Sequence, residues 1–267
     1  MNTVTLHTLN DFPSKHLNNE RDIQVLLPPH YNAHKRKKYP VLVLNDGQDL
    51  RALRVKATLQ GLYESRALKP IIVVAIPTNA DRLNEYGTSR TLDFKGRGAR
   101  ALAYSRFVIE EVLPEINGLY RTCTAPQDTA ILGASLGGLS AFDLAWHNSQ
   151  VFGTCGVFSG SFWWRTGSKD LRAKTVSRIV HNMVRESEQQ PALRFWFQAG
   201  TEDEKDDRDH NGVIDAIQDT TELIDELALK GFVRGVEMTY LQVEGGQHNP
   251  TTWAGVFDQF LQFAFRG

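Results

Sequence analysis

Ser135, Asp203 and His248 lie far apart in the chain, yet they are the three residue types that together make a hydroxyl reactive. A serine hydroxyl is a poor nucleophile until a base takes its proton, and a neutral imidazole does this near pH 7. The imidazole needs a carboxylate to fix its tautomer and to stabilise the imidazolium it becomes. Ser135 stands in Gly133-Ala134-Ser135-Leu136-Gly137, which fits the pattern G-x-S-x-G. A side chain held at the apex of a sharp strand-to-helix turn needs neighbours without bulk, and the two glycines supply them. The chemistry implied is acyl transfer, with the Leu136 N–H at the start of the next helix aimed at a developing oxyanion.

Small residues also let a helix pack closely on a strand without any catalysis, so the surrounding pattern has to decide. Thr129 to Leu132 is a short apolar run suited to a buried strand, and Leu139, Phe142, Leu144 and Ala145 give the following helix an apolar face. The acid is due after the strand pattern Leu193 to Ala199. Asp203, three residues beyond Gly200, is assigned that role, with Glu202 and Glu204 left open beside it. The last strand pattern, Val236 to Val243, leads into Glu244-Gly245-Gly246-Gln247-His248, where two glycines predict a flexible turn that swings the imidazole over the sheet edge. Serine, acid, histidine is the chain order of α/β-hydrolases.

The elements that must position these groups read as one α/β unit over 1–267: a mostly parallel central sheet with helices on both faces. Thr3 to Leu9 and Asp22 to Leu27 predict two antiparallel N-terminal edge strands, broken at Asn18 and Asn19. Val41 to Leu44 and Ile71 to Ile76 predict buried strands. Helices are predicted over 52–66, after Gly96 and Gly98 as far as Leu119, over 168–187, from about Asp215 to Lys230 and over 252–265. The segment 160–190 is a candidate cap over the site. In such a fold the second oxyanion N–H comes from the loop after an early strand, which makes Gln48, just past Asp46-Gly47, its candidate.

Substrate contacts are expected at other strand ends. Arg82 and Tyr86 follow the third strand pattern, although Arg82 paired with Glu85 as a structural clamp explains the same letters. Trp163 and Trp164, after Val151 to Phe158, would line an aromatic acyl or alcohol pocket unless they are core. Lys35-Arg36-Lys37-Lys38 reads as a solvated loop. A net charge of −1 argues against a nucleic-acid partner. No secretory segment and no apolar run of membrane length is seen, so a cytoplasmic location is expected; the oligomeric state is unreadable. Two cysteines are too few for a disulfide framework, and Cys155 reads as a buried small hydrophobe.

These residues resemble an esterase family that includes enterochelin-type esterases, esterase D and the mycolyltransferases. The likeness rests on Leu44-Asn45-Asp46-Gly47, Arg82-Leu83-Asn84-Glu85-Tyr86, Gly133 to Gly138, Ser159 to Trp164 and Gly246-Gln247-His248. It implies a carboxylic-ester hydrolase acting on a small-molecule ester through Ser135, Asp203 and His248, with Gln48 as an oxyanion donor. Aryl, catechol-type or siderophore lactone esters fit, but full-length siderophore esterases carry an additional N-terminal domain that does not fit here. Transfer to an alcohol acceptor and a catalytically idle binding protein are the alternatives. No cofactor is expected. Asp207 to Asp215 does match the first nine positions of a calcium loop, D-x-D-x-N-G-x-x-D, but Gln218 replaces the glutamate of position twelve. A turn capping the following helix accounts for the same letters.

Overall fold

Val41–Asn45, Ile72–Ile76 and Thr154–Phe158 are buried along their whole length, as strands are in a parallel sheet covered by helices on both sides. A computed structural model describes residues 3–265. In chain order the strands are β1 (Thr5–Ser14), β2 (Asn19–Leu27), β3 (Val41–Asn45), β4 (Ile72–Ile76), β5 (Thr129–Ala134), β6 (Thr154–Phe158), β7 (Arg194–Glu202) and β8 (Met238–Gln247). The helices are α1 (Val55–Glu64), α2 (Arg82–Glu85), α3 (Ala101–Arg106), α4 (Leu113–Leu119), α5 (Leu136–His147), α6 (Leu171–Val176), α7 (Ile179–Glu186), α8 (Asp215–Leu229), α9 (Pro250–Ala254) and α10 (Phe257–Ala264).

The eight strands form one sheet in the order β1-β2-β4-β3-β5-β6-β7-β8. From β4 to β8 every neighbouring pair is parallel; β2 runs antiparallel to β4, and β1 to β2. This is an α/β-hydrolase fold. Side chains alternate between the two faces, as strand geometry requires. Val41, Val43, Ile131 and Phe195 join one core with α3, α4, α5, α7 and α8. Leu42, Leu44, Leu132 and Trp196 join a second core with α1, α9 and α10.

Several boundaries differ from the sequence expectation. The first two strands form a longer hairpin in which Asn19 pairs with Ser14, and β2 lies inside the sheet, which leaves β1 as the edge. The helix expected after Gly98 does begin there, at Ala101, but passes through a π turn, Phe107–Val112, before continuing as α4. The 168–187 helix is two helices, broken at Ser177 and Arg178. Arg178 is buried there by ion pairs to Asp219 and Glu222 of α8, a long-range demand that local periodicity does not register. The closing helix is likewise split, between Ala254 and Phe257.

Candidate active site

The turn between β5 and α5 forces Ser135 into a conformation few L-residues adopt, φ 56° and ψ −125°. Such strain persists only where the surroundings hold it in place, and it clusters at functional sites. Main-chain hydrogen bonds hold it. The Ser135 N–H donates to Phe158 O at 2.9 Å, and the Ser135 carbonyl accepts from Ser161 N–H at 3.1 Å and Gly138 N–H at 3.1 Å. A Cβ at Gly133 would lie 2.0 Å from the Gly137 carbonyl oxygen, so only glycine lets the strand meet the helix here.

Beside this turn, the end of β3 is fastened to the same helix. Asn45 donates to Gly137 O at 2.8 Å and accepts from the Tyr104 hydroxyl at 2.7 Å. Asp46 next to it is buried in a left-handed conformation. Its N–H donates to the Tyr86 hydroxyl at 2.9 Å, and its carboxylate takes a bidentate pair from Arg82, with both distances 2.7 Å. Gln48 donates its amide to Asp46 and accepts from the Thr78 N–H, which fixes the loop carrying the Gln48 main chain. Leu136, as the first residue of α5, contributes a first-turn amide that has no acceptor within the helix.

Ser135, His248, Gln48 and Arg82 line one cavity of about 290 Å3 at the carboxyl ends of the strands. Leu44, Leu53, Phe158, Pro250 and Trp253 give it an apolar wall; Asp46 and Asp49 add carboxylates. Ser135 Oγ makes its hydrogen bond with Ser161 Oγ at 3.4 Å and none with the imidazole. His248 packs edge-to-face on Trp253, with ring centroids 5.3 Å apart at 82°. Partial desolvation lowers the His248 pKa from its ordinary value; the Asp203 carboxylate opposes that shift and the Arg82 charge adds to it.

The three acids after β7 separate cleanly. Glu202 is exposed and accepts from Gln247 at 3.1 Å. Glu204 turns toward the start of α8, where burial and the carboxylates of Asp215, Asp206 and Asp219 push its pKa up to about 7. Asp203 is buried; one oxygen accepts the Gly200 N–H at 2.8 Å, and the other has no hydrogen-bond partner. Of the three, Asp203 is the one whose charge acts on His248. A Cβ at Gly200 would lie 2.2 Å from Gly246 O, so glycine there allows the two strand ends to close together. The expected flexible glycine turn is in fact strand, since β8 continues to Gln247.

Other expectations need correcting. Tyr86 is no substrate contact: it is fully buried against Tyr104, and its hydroxyl serves the Asp46 amide. Trp164 is fully buried, and neither it nor Trp163 lines the cavity; the Arg97 guanidinium lies over both rings. Arg82 pairs with Asp46, whereas Glu85 is held by Arg21 at 2.8 and 2.9 Å. The 160–190 segment forms no cap over the cavity, because α7 buries Ile179, Val180 and Val184 in the core shared with α8. The sequence pattern singles out neither Trp253 nor Asn45. Asn45 had a signal, a polar residue closing an apolar strand, but Trp253 had only its nearness to His248.

A family model described as "Putative esterase" matches residues 14–264. The chain belongs to that esterase family. This esterase is 26% identical over 171 residues to YbbA, an uncharacterised protein of Bacillus subtilis (strain 168), a match covering 61% of this chain and 66% of the relative. It superposes on a ferulic acid esterase with a TM-score of 0.72 and 22% identity, over 98% of this chain and 97% of the other. The enterobactin esterase FES of Shigella flexneri gives 0.74 and 20%, over 98% of this chain and 59% of the longer protein. These structural likenesses establish the fold; membership of the family makes the esterase a carboxylic-ester hydrolase. Among its described residues, no helix is long and apolar enough to cross a membrane.

Proposed function

We infer that this esterase cleaves carboxylic esters through a covalent acyl-serine, with Ser135 as nucleophile, His248 as base and then acid, and Asp203 as the carboxylate behind it. Ser135 Oγ attacks the ester carbonyl and gives its proton to the imidazole; the tetrahedral oxyanion rests on the N–H groups of Gln48 and Leu136. Collapse expels the alcohol with the proton from His248, and water then releases the acid by the same steps in reverse. The observation carrying this reading is the strained Ser135 turn opening into a cavity that it shares with His248. An acyl group with an aromatic ring suits the wall formed by Phe158 and Trp253, in keeping with relatives named for ferulic acid and enterobactin.

The test pairs activity with labelling. Ser135→Ala is expected to reduce kcat for a short aryl ester by on the order of 10⁶-fold, and a fluorophosphonate should label Ser135 in the native chain alone. Activity near the native level in the variant would remove Ser135 from the mechanism.

A further inference from the structure

The loop after β6 carries a second non-glycine residue held left-handed beside the site, Ser159 at φ 46°. Its N–H donates to Gln198 O at 2.8 Å. Gly160, next to it, has no room for a side chain, since a Cβ there would lie 2.6 Å from Val157 Cγ1 and 2.7 Å from Phe162 Cε2. Strain of this kind persists where the surrounding structure over-determines it. What the loop delivers is Ser161, which meets the nucleophile turn twice. Its N–H donates to the Ser135 carbonyl at 3.1 Å, and its Oγ lies 3.4 Å from Ser135 Oγ. The Trp164 N–H donates to the Ser161 carbonyl at 3.1 Å and closes the turn.

The surroundings decide which hydroxyl donates. Ser161 is 3% exposed and does not line the cavity, and among the described residues its Oγ has no partner besides Ser135 Oγ. A buried hydroxyl that fails to donate forfeits a hydrogen bond it cannot recover from water. Ser135 is only half-buried and opens on the cavity it shares with His248, so its own proton is free to turn that way. The Ser161 hydroxyl is therefore the donor and the Ser135 oxygen the acceptor.

Resting on the reading of Ser135 as nucleophile, we propose that Ser161 is a further catalytic residue, whose hydroxyl stabilises the Ser135 oxygen as that oxygen gains negative charge. In acylation the Ser135 proton leaves for His248 while the bond from Oγ to the acyl carbon forms. In release of the acid that bond breaks, and its electron pair returns to Oγ until His248 gives the proton back. The Ser161 proton stays on Ser161 in both steps, and only its hydrogen bond strengthens. Between neutral hydroxyls a separation of 3.4 Å is long. Hydrogen bonds to an oxygen carrying charge are shorter and about twice as strong, so the gain falls where charge develops. The proposed donors on Gln48 and Leu136 serve a different atom, the substrate oxygen.

The test compares the native chain with Ser161→Ala, Ser161→Cys and Ser161→Thr, reading the rate of fluorophosphonate labelling and kcat/KM for p-nitrophenyl acetate. Both are expected to fall about 10- to 100-fold in Ser161→Ala, the worth of a hydrogen bond to a charged group. Ser161→Cys fills the space with a thiol that donates weakly and should be as slow as the alanine variant. Ser161→Thr keeps the hydroxyl and should recover most of the rate; if its added methyl prevents folding, the alanine and cysteine variants carry the test. The acidic limb of the pH profile, set by His248, should stay in place throughout. Native rates in folded Ser161→Ala would overturn the proposal. So would recovery by Ser161→Cys, which would make volume the cause, or a displaced acidic limb, which would make it a shifted imidazole. A native chain that resists labelling overturns the nucleophile reading together with this one; a chain labelled at Ser135 and indifferent to Ser161→Ala overturns this one alone.

Discussion

At the scale of single residues, the distinguishing environment is that of His248. In the proposed mechanism its working form is the neutral imidazole, and its pKa lies below the ordinary 6.5. Protonation therefore sets in only at lower pH, so the acidic limb of kcat/KM is expected to lie below the position of an ordinary imidazole. Asp203→Asn removes the one influence that raises this pKa. The limb should then move further down, with kcat reduced on the order of 10⁴-fold through loss of the carboxylate proposed to fix the tautomer; an upward shift would mean that Asp203 does not act on the imidazole. Trp253 is the other residue with an identifiable task. Its indole N–H donates to Ser159 Oγ at 2.9 Å while its ring supports the imidazole. Trp253→Ala is expected to lower kcat about 10- to 100-fold through misplacement of His248. Trp253→Phe keeps the ring, and should retain most activity while losing about 1 kcal/mol of stability with the hydrogen bond. Equal kcat losses in the two variants would show that the ring is not what matters.

At the scale of elements, the site depends on strand ends being tied to one another. Arg21 on β2 reaches Glu85 on α2 through a bidentate pair, and also donates to Pro77 O at 3.0 Å. Both side chains are almost wholly buried, at 5% and 0% exposed. Removing one partner strands a buried charge, so Arg21→Ala is expected to cost about 3–5 kcal/mol in urea unfolding. The same segment carries Arg82 to Asp46, so the loop bearing Gln48 should loosen with it. The letters Arg-Leu-Asn-Glu-Tyr were visible in the sequence, but their partners were not. A local reading pairs Arg82 with Glu85 because they sit three apart on one turn; the fold instead brings Arg21 to Glu85 from 64 positions away and Asp46 to Arg82 from 36 positions away.

At the scale of the whole molecule, two cores clamp one sheet, and every proposed catalytic group lies where strands end. The loop 207–215 stands outside that design. Asp207 accepts the Asn211 and Gly212 N–H groups, Gln218 donates to Asp209, and Asp215 is taken by Arg208. With its carboxylates occupied from within, calcium is expected to leave Tm unchanged, and chelation likewise; a saturable rise in Tm would show a bound ion. Among the described residues no three His, Cys, Asp or Glu side chains form a metal cluster. Apolar runs and the small residues around Ser135 were enough to indicate the parallel sheet and the tight strand-to-helix turn at Ser135, because strand burial and steric room are written in local residue size and polarity. Which acid is buried, which aromatic ring lines the cavity, and whether 160–190 covers it or packs beneath were decided by tertiary structure alone, because each depends on side chains meeting across the sheet from strands that are distant in the chain.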